Sequence, residues 1–182
     1  MQRVVITSST GAVLTEDVAP RTFNEENWNE QSVKEVEIKG SNAAQADIYR
    51  ASKTLAERAA WKFVEVNKDK IKFDLVVFNP PYVWGPTLHG VRLPEELNLS
   101  MLAWYNTIVK GSEQFVTIRS VHTAVCARKS NSHNRCSSSW VDVRDVGLAH
   151  ALALQKPEAG GERIIISSGA WNWQDWGTHI SA

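Results

Sequence analysis

The sequence predicts an α/β fold built on a parallel sheet. Three observations carry this. Short β-branched runs recur as RVVITS (residues 3–8), FDLVVFN (73–79) and RIIIS (163–167). The strongest amphipathic helix of the chain, Asp47–Asn67, lies between the first two runs. The middle run is apolar without alternation, the mark of a strand buried on both faces, and strands of that kind belong to parallel sheets crossed by helices.

The first run is bounded by Ser8, Ser9, Thr10 and Gly11, as a strand entering a turn should be. Residues 14–45 are polar and irregular and read as a long surface loop with a short helix near Val33–Ile38. On a wheel of 100° per residue, Ile48, Leu55, Ala59, Phe63 and Val66 form the apolar stripe of the main helix. This stripe is expected to face the core, with Arg50, Thr54, Glu57, Arg58 and Glu65 opposite. Tyr49 and Lys53, one turn apart, fall on a narrow second stripe and are expected beside the core rather than in solvent. Asp47 suits the first turn or cap.

Pro80 and Pro81 end the second strand. A loop with Gly85, Pro86, Gly90 and Pro94 leads to a helix expected over Glu95–Val109. Trp140–Val143 reads as a short strand, and Asp145–Gln155 as an Ala- and Leu-rich helix with Asp145 as its N-cap. Trp61 falls off the core stripe of its helix, and a further helix is expected to begin at Trp173–Trp176.

Twenty basic and twenty acidic residues give 182 residues a net charge of zero. That balance argues against nucleic acid or an anionic membrane as partner, since both draw on a surplus of Lys and Arg. Leu75–Phe78 is too short to span a bilayer, and the polar residues after Ile6 prevent a signal-peptide core. Two cysteines do not make a disulfide framework, so a reducing compartment such as the cytoplasm is expected. Eight tryptophans point to large packing surfaces or an aromatic pocket, with Trp171, Trp173 and Trp176 its candidates.

The chemistry rests on Tyr49-Arg-Ala-Ser-Lys53, a Y-x-x-x-K on a helix that follows a strand ending in Ser8-Ser9. An ammonium one helical turn from a phenol favours the phenolate. Such a tyrosine can pass a proton to a carbonyl oxygen while hydride reaches the carbon. A serine hydroxyl at the end of the neighbouring strand can hold the same oxygen.

The order of these motifs resembles the extended short-chain dehydrogenases/reductases of the NAD-dependent epimerase/dehydratase superfamily, and within it the dihydroflavonol-reductase-like aldehyde and ketone reductases. The segments that carry the resemblance are RVVITSSTGAV (3–13), FNEENWN (23–29), YRASKTLAERAAWKF (49–63), FDLVVFNPPYVWGP (73–86), LNLS (97–100) and WVDVRDVGLAHALALQKP (140–157). The resemblance implies a partial Rossmann-type doubly wound sheet, lacking its first strands, and part of a small C-terminal substrate-binding region. The implied division is residues 1–90 and 91–182. It implies catalysis by Ser9 as carbonyl-orienting group, Tyr49 as acid/base, and Lys53 as the group that tunes the tyrosine and holds the nicotinamide ribose. The resemblance implies that Tyr49 and Lys53 also contact the cofactor, that Pro80 and Val83 match contacts beside the nicotinamide, and that Ser100 matches a position that reaches the cofactor phosphates. The implied cofactor is NADP, with NAD the alternative, and the implied substrate a small aldehyde or ketone. Sugar-nucleotide epimerisation or dehydration is the rival chemistry. A non-catalytic remnant that docks to a partner is the rival of another class.

The sequence also departs from that family. None of its ten glycines falls into a G-x-x-G-x-x-G pattern, so the turn that meets the pyrophosphate is missing. Both ends are expected to be truncated. Residues 112–139 have no family counterpart and read as an atypical insertion, with a retained intron expected over roughly 115–139. Within it, His122, Cys126, His133 and Cys136 include good zinc ligands, but in a spacing that matches no established zinc pattern. Arg119, Arg128, Lys129 and Arg135 form a basic stretch, expected to be a solvated loop. Asp142, Arg144, Asp145 and His150 are expected to serve packing and capping rather than acid/base chemistry.

Overall fold

The computed structural model describes residues 2–16, 22–88, 90–111 and 137–172. The insertion, its zinc candidates and its basic stretch therefore lie outside the described residues, apart from Ser137–Ser139. So do Trp173, Trp176 and the helix expected there. The chain forms two compact units. One comprises Met1–Thr15, Thr22–Pro81 and Asp145–Ile166, the other Glu16–Arg21, Tyr82–Arg144 and Ser167–Ala182.

The first unit holds the expected parallel sheet. Strand β1 (Gln2–Thr7) pairs with β2 (Phe73–Asn79), and β2 pairs with β5 (Arg163–Ile165), all parallel, in the order β1-β2-β5. The central strand is the apolar one, and Leu75–Asn79 are all buried. Side chains alternate along it. Val76 and Phe78 pack with Ala149 and Ala153 of helix α4 (Val143–Gln155). Asn79, on the other face, bonds Glu57 of helix α2 (Gln45–Asn67). The central strand is thus covered by a helix on each side, which is why its sequence shows no alternation.

Helix α1 (Glu30–Lys39) is longer than the expected 33–38, because Asn29 caps it, its side chain accepting from the Ser32 amide at 2.9 Å. Helix α2 begins at Gln45, two residues before the expected start, with Asp47 in its first turn, and it turns the other way. Its buried residues are Ala51, Thr54 and Glu57, while Leu55, Phe63 and Val66 are exposed. Hydropathy misleads here because the buried polar groups are paired. Thr54 Oγ1 donates to the Arg50 carbonyl at 2.8 Å, and Glu57 accepts several hydrogen bonds. Trp61, half-buried beside this face, has an indole nitrogen that no group among the described residues meets.

Arg3 ties the sheet to the end of α4. Its Nε and Nη2 donate to Asp74 Oδ1 and Oδ2 at 2.7 and 2.8 Å, and its Nη1 donates to the carbonyls of Ala153 and Lys156. The guanidinium holds the Asp74 carboxyl below its ordinary range. A depressed folded value stabilises above the unfolded pKa, about 3.9, and is lost as pH falls through the folded one. Wild type and Asp74→Asn should therefore differ in urea midpoint at neutral pH and converge in acid. A gap that persists in acid would remove this ion pair as the cause. Gly160 leaves the pair its space, since a Cβ there would run into Asp74 Oδ2 and Arg3 Nη2. Gly160→Ala is expected to cost about 1–3 kcal/mol in urea unfolding, as overpacking usually does.

In the second unit β3 (Tyr82–Trp84) pairs parallel with β4 (Ser137–Asp142), and β4 antiparallel with β6 (Gly169–Asn172). The helix expected over Glu95–Val109 is a 3-10 turn, Pro94–Glu96, followed by α3 (Leu99–Ile108). Asn98 breaks the two, capping α3 through the Met101 amide at 2.9 Å. The tryptophans cluster on this sheet. Trp84 lies 4.5 Å from Trp171 and 6.2 Å from Trp140 between ring centroids, and Tyr82 stacks on Trp84 at 5.8 Å. Trp84 and Trp171 are buried, so this part of the aromatic excess is packing.

Asp145 is not the N-cap of α4, which already begins at Val143, and it lies in the first turn instead. Asp142 takes the capping part, accepting from the Arg144 amide at 2.8 Å and from its guanidinium at 2.9 and 2.7 Å. These contacts hold the Asp142 carboxyl down at about 2, too low for proton transfer at neutral pH. Among the described residues no helix is long and apolar enough to cross a membrane, and no cluster of three metal-ligating side chains occurs.

Candidate active site

The site forms where β1 ends. Its last residues are gripped one by one. Thr7 Oγ1 meets His150 Nε2 at 2.7 Å, while His150 Nδ1 meets the Val146 carbonyl at 2.7 Å. That carbonyl requires a proton on Nδ1, so in the neutral ring Nε2 accepts from the threonine. The Ser8 amide donates to the Phe78 carbonyl at 2.8 Å and the Thr10 amide to the Pro80 carbonyl at 3.0 Å. The turn thereby hangs from the C-terminal end of the central strand, where functional groups gather in open parallel sheets.

Ser9 is extended (φ −163°, ψ 151°) and caps the 3-10 turn Thr10–Ala12, its Oγ accepting from the Gly11 amide at 3.0 Å. With that lone pair engaged, the hydroxyl proton is left to donate elsewhere. Tyr49 lies in the second turn of α2 and is 50% exposed. It is a site on the surface of the unit, not the core-flanking position expected from the wheel. The two meet at Gly11. A Cβ there would stand 3.3 Å from Ser9 Oγ, 3.3 Å from Arg50 Cγ and 3.5 Å from Tyr49 Cε1, the ring carbon next to the one bearing the hydroxyl. Glycine keeps open a cradle that any other side chain would fill.

Lys53 follows Tyr49 by one helical turn and is half-buried. Pro80, after the last residue of β2, serves the turn through its carbonyl. The structure therefore draws Ser9 and Tyr49 together and places Lys53 four residues further along the same helix. Val83 and Ser100 belong to the second unit. Val83 is the middle residue of β3. Ser100 lies in the first turn of α3, where its Oγ bonds Asn98 Oδ1 at 3.2 Å and its carbonyl accepts from Trp84 Nε1 at 3.1 Å.

Four further residues hold this site and were not expected in it. Glu57, assigned to the outer face by the wheel, is fully buried and accepts from Ser8 Oγ at 2.6 Å, Asn79 Nδ2 at 2.8 Å and Arg163 Nε. Asn79 Nδ2 also reaches the Ser9 carbonyl at 3.1 Å. The one sequence signal is the recurrence of Tyr49, Lys53 and Glu57 every four residues, which keeps them near one side of a helix.

No family model matches the chain. Over 178 residues it is 34% identical to the NADPH-dependent methylglyoxal reductase GRE2 of Saccharomyces cerevisiae, covering 96% of this chain and 46% of that protein. Over 175 residues it is 35% identical to the ketoreductase azaE of Aspergillus niger, covering 93% and 43%. The crystal structure of yeast methylglyoxal/isovaleraldehyde reductase Gre2 complexed with NADPH superposes with a TM-score of 0.70 at 32% identity, covering 96% of this chain and 45% of that one. The chain spans a little under half the length of the curated relatives it matches. By sequence and by fold together, the chain is similar to a part of these reductases, among them the methylglyoxal reductase Gre2.

Proposed function

We propose that the protein is an oxidoreductase that reduces the carbonyl of a small aldehyde or ketone to an alcohol, with NADPH as the reductant. The observation that carries this reading is the meeting of Ser9 Oγ and the Tyr49 ring at the missing side chain of Gly11. A carbonyl oxygen held between the two side chains would accept a hydrogen bond from Ser9 while Tyr49 gives it a proton. NADPH, when bound, supplies the hydride. The residues present suit its nicotinamide end. Tyr49 is half-exposed, Lys53 is half-buried one turn away, and the cradle beside them has no Cβ in it. Lys53 would hold the ribose through its ammonium. Pro80, Val83 and Ser100 are assigned to the cofactor by resemblance. The names of the relatives support both the carbonyl substrate and NADPH.

The test is a titration of tryptophan fluorescence with NADPH, followed by NADPH consumption with methylglyoxal and a panel of small ketones. Saturable quenching and carbonyl-dependent consumption are expected. Ser9→Ala should lower kcat about 10²-fold, as removal of one donor to a developing oxyanion does. A folded protein that neither binds nor consumes NADPH would sink the reading.

A further inference from the structure

We propose that Glu57 is the positioning residue of the Ser9 turn, acting with Arg163 as its buried counter-ion. The inference rests on the reading of Ser9 and Tyr49 as a pair acting on one carbonyl oxygen.

The Glu57 carboxylate is wholly buried and the Arg163 guanidinium nearly so. Burying such a pair is costly, and well-packed apolar side chains commonly stabilise a fold as well or better. Where the hydrogen bonds go shows what the pair does here. Glu57 Oε2 takes one from Ser8 Oγ and one from Asn79 Nδ2, and that same Asn79 nitrogen bonds the Ser9 carbonyl. Glu57 thus grips the turn just before the reactive hydroxyl. Arg163 grips it just after, since beyond Glu57 its guanidinium reaches the carbonyl of Ala12 at 3.4 Å. Arg163 is itself fixed by the carbonyls of Glu25 and Asn27, both at 2.6 Å, and by the ring of Trp28 at 3.8 Å. Asn29 completes the enclosure, donating to the Gly11 carbonyl from its side chain at 3.0 Å and to the Ala12 carbonyl from its amide at 2.9 Å.

Glu57 stands eight residues after Tyr49 on one continuous helix. The rod that carries the phenol also carries the clamp on the serine turn. The separation of the two hydroxyls is therefore set by a helix and a buried carboxylate, not by the conformational freedom of a loop. Two hydroxyls that must meet one oxygen need such support, because a shift of about 1 Å can cost on the order of 10²-fold in rate.

The test compares wild type with Glu57→Met/Arg163→Met, which removes both charges together, and with Ser8→Ala, which leaves the ion pair in place. Amide exchange is read at Gly11, Ala12 and Val13, whose N–H groups bond Ser9 Oγ, the Ser9 carbonyl and the Thr10 carbonyl. In the double variant these amides should exchange at least about ten-fold faster while those of β2 keep wild-type rates, the mark of local rather than global opening. With a carbonyl substrate, kcat should fall at least about ten-fold while the KM for NADPH stays within about two-fold. Ser8→Ala should show the same pattern at smaller size, and it decides the matter if the double variant does not fold. Wild-type exchange at residues 11–13 in a folded variant, or a wild-type kcat, overturns the proposal. If wild-type protein reduces no carbonyl, the functional reading fails separately, and the exchange rates still tell whether Glu57 holds the turn.

Discussion

Tyr49→Phe is expected to lower kcat for carbonyl reduction by about 10²–10⁴-fold, the range a positioned general acid contributes. Only one oxygen is lost. The ring that lies beside Gly11 stays, and so does the helix beneath it, because Tyr49 is exposed and its side chain supports no core packing. NADPH binding by fluorescence should change little, and the urea midpoint should not move. The decisive comparison is steady-state kinetics of Tyr49→Phe beside Ser9→Ala. If Ser9 and Tyr49 serve one oxygen, the double variant should be little worse than the more impaired single one, as groups acting as a unit are non-additive. A Tyr49→Phe enzyme within a few-fold of wild type would remove Tyr49 from the chemistry.

Arg163→Ala is expected to destabilise the protein by about 3–5 kcal/mol, the usual result of stripping one partner from a buried ion pair. The Glu57 carboxylate would keep Ser8 and Asn79 but lose its counter-ion in a fully buried place. The carbonyls of Glu25 and Asn27 would lose a donor, and Trp28 the cation on its face. Arg58 is the control. Its guanidinium also lies over Trp28, at 4.8 Å, and pairs with Glu30, but in a partly exposed setting. Arg58→Ala should cost about 0–1 kcal/mol, as exposed pairs do. Chemical denaturation of the two variants side by side decides the point, and equal losses would show that burial of the Glu57–Arg163 pair is not what matters.

Much of the frame was legible without the structure. RVVITS, FDLVVFN and RIIIS became the three parallel strands, as short β-branched runs favour, but only the central one is buried, and β1 at the sheet edge holds no buried residue. Capping, by contrast, moved the helix ends away from where periodicity alone puts them. Asn29 extends α1, Asn98 divides the stretch from Pro94 to Ile108, and Asp142 displaces Asp145 at the start of α4. An asparagine or aspartate in a polar stretch does not announce which of several amides it will accept from.

Chain order by itself determined the parallel α/β frame, the placing of Tyr49 and Lys53 one turn apart, and the serine at the end of the first strand. These depend on local periodicity, which a sequence carries in full. The tertiary structure alone decided that Ser9 and Tyr49 share the space left by Gly11, and that α2 turns Thr54 and Glu57 inward while Leu55, Phe63 and Val66 face out. The physical reason is that a charged residue can be buried once its partners are in place. The partners of Glu57 lie 49, 22 and 106 residues away, at Ser8, Asn79 and Arg163. No helical wheel contains them. They come within reach of one carboxylate only when β1, β2 and β5 have paired.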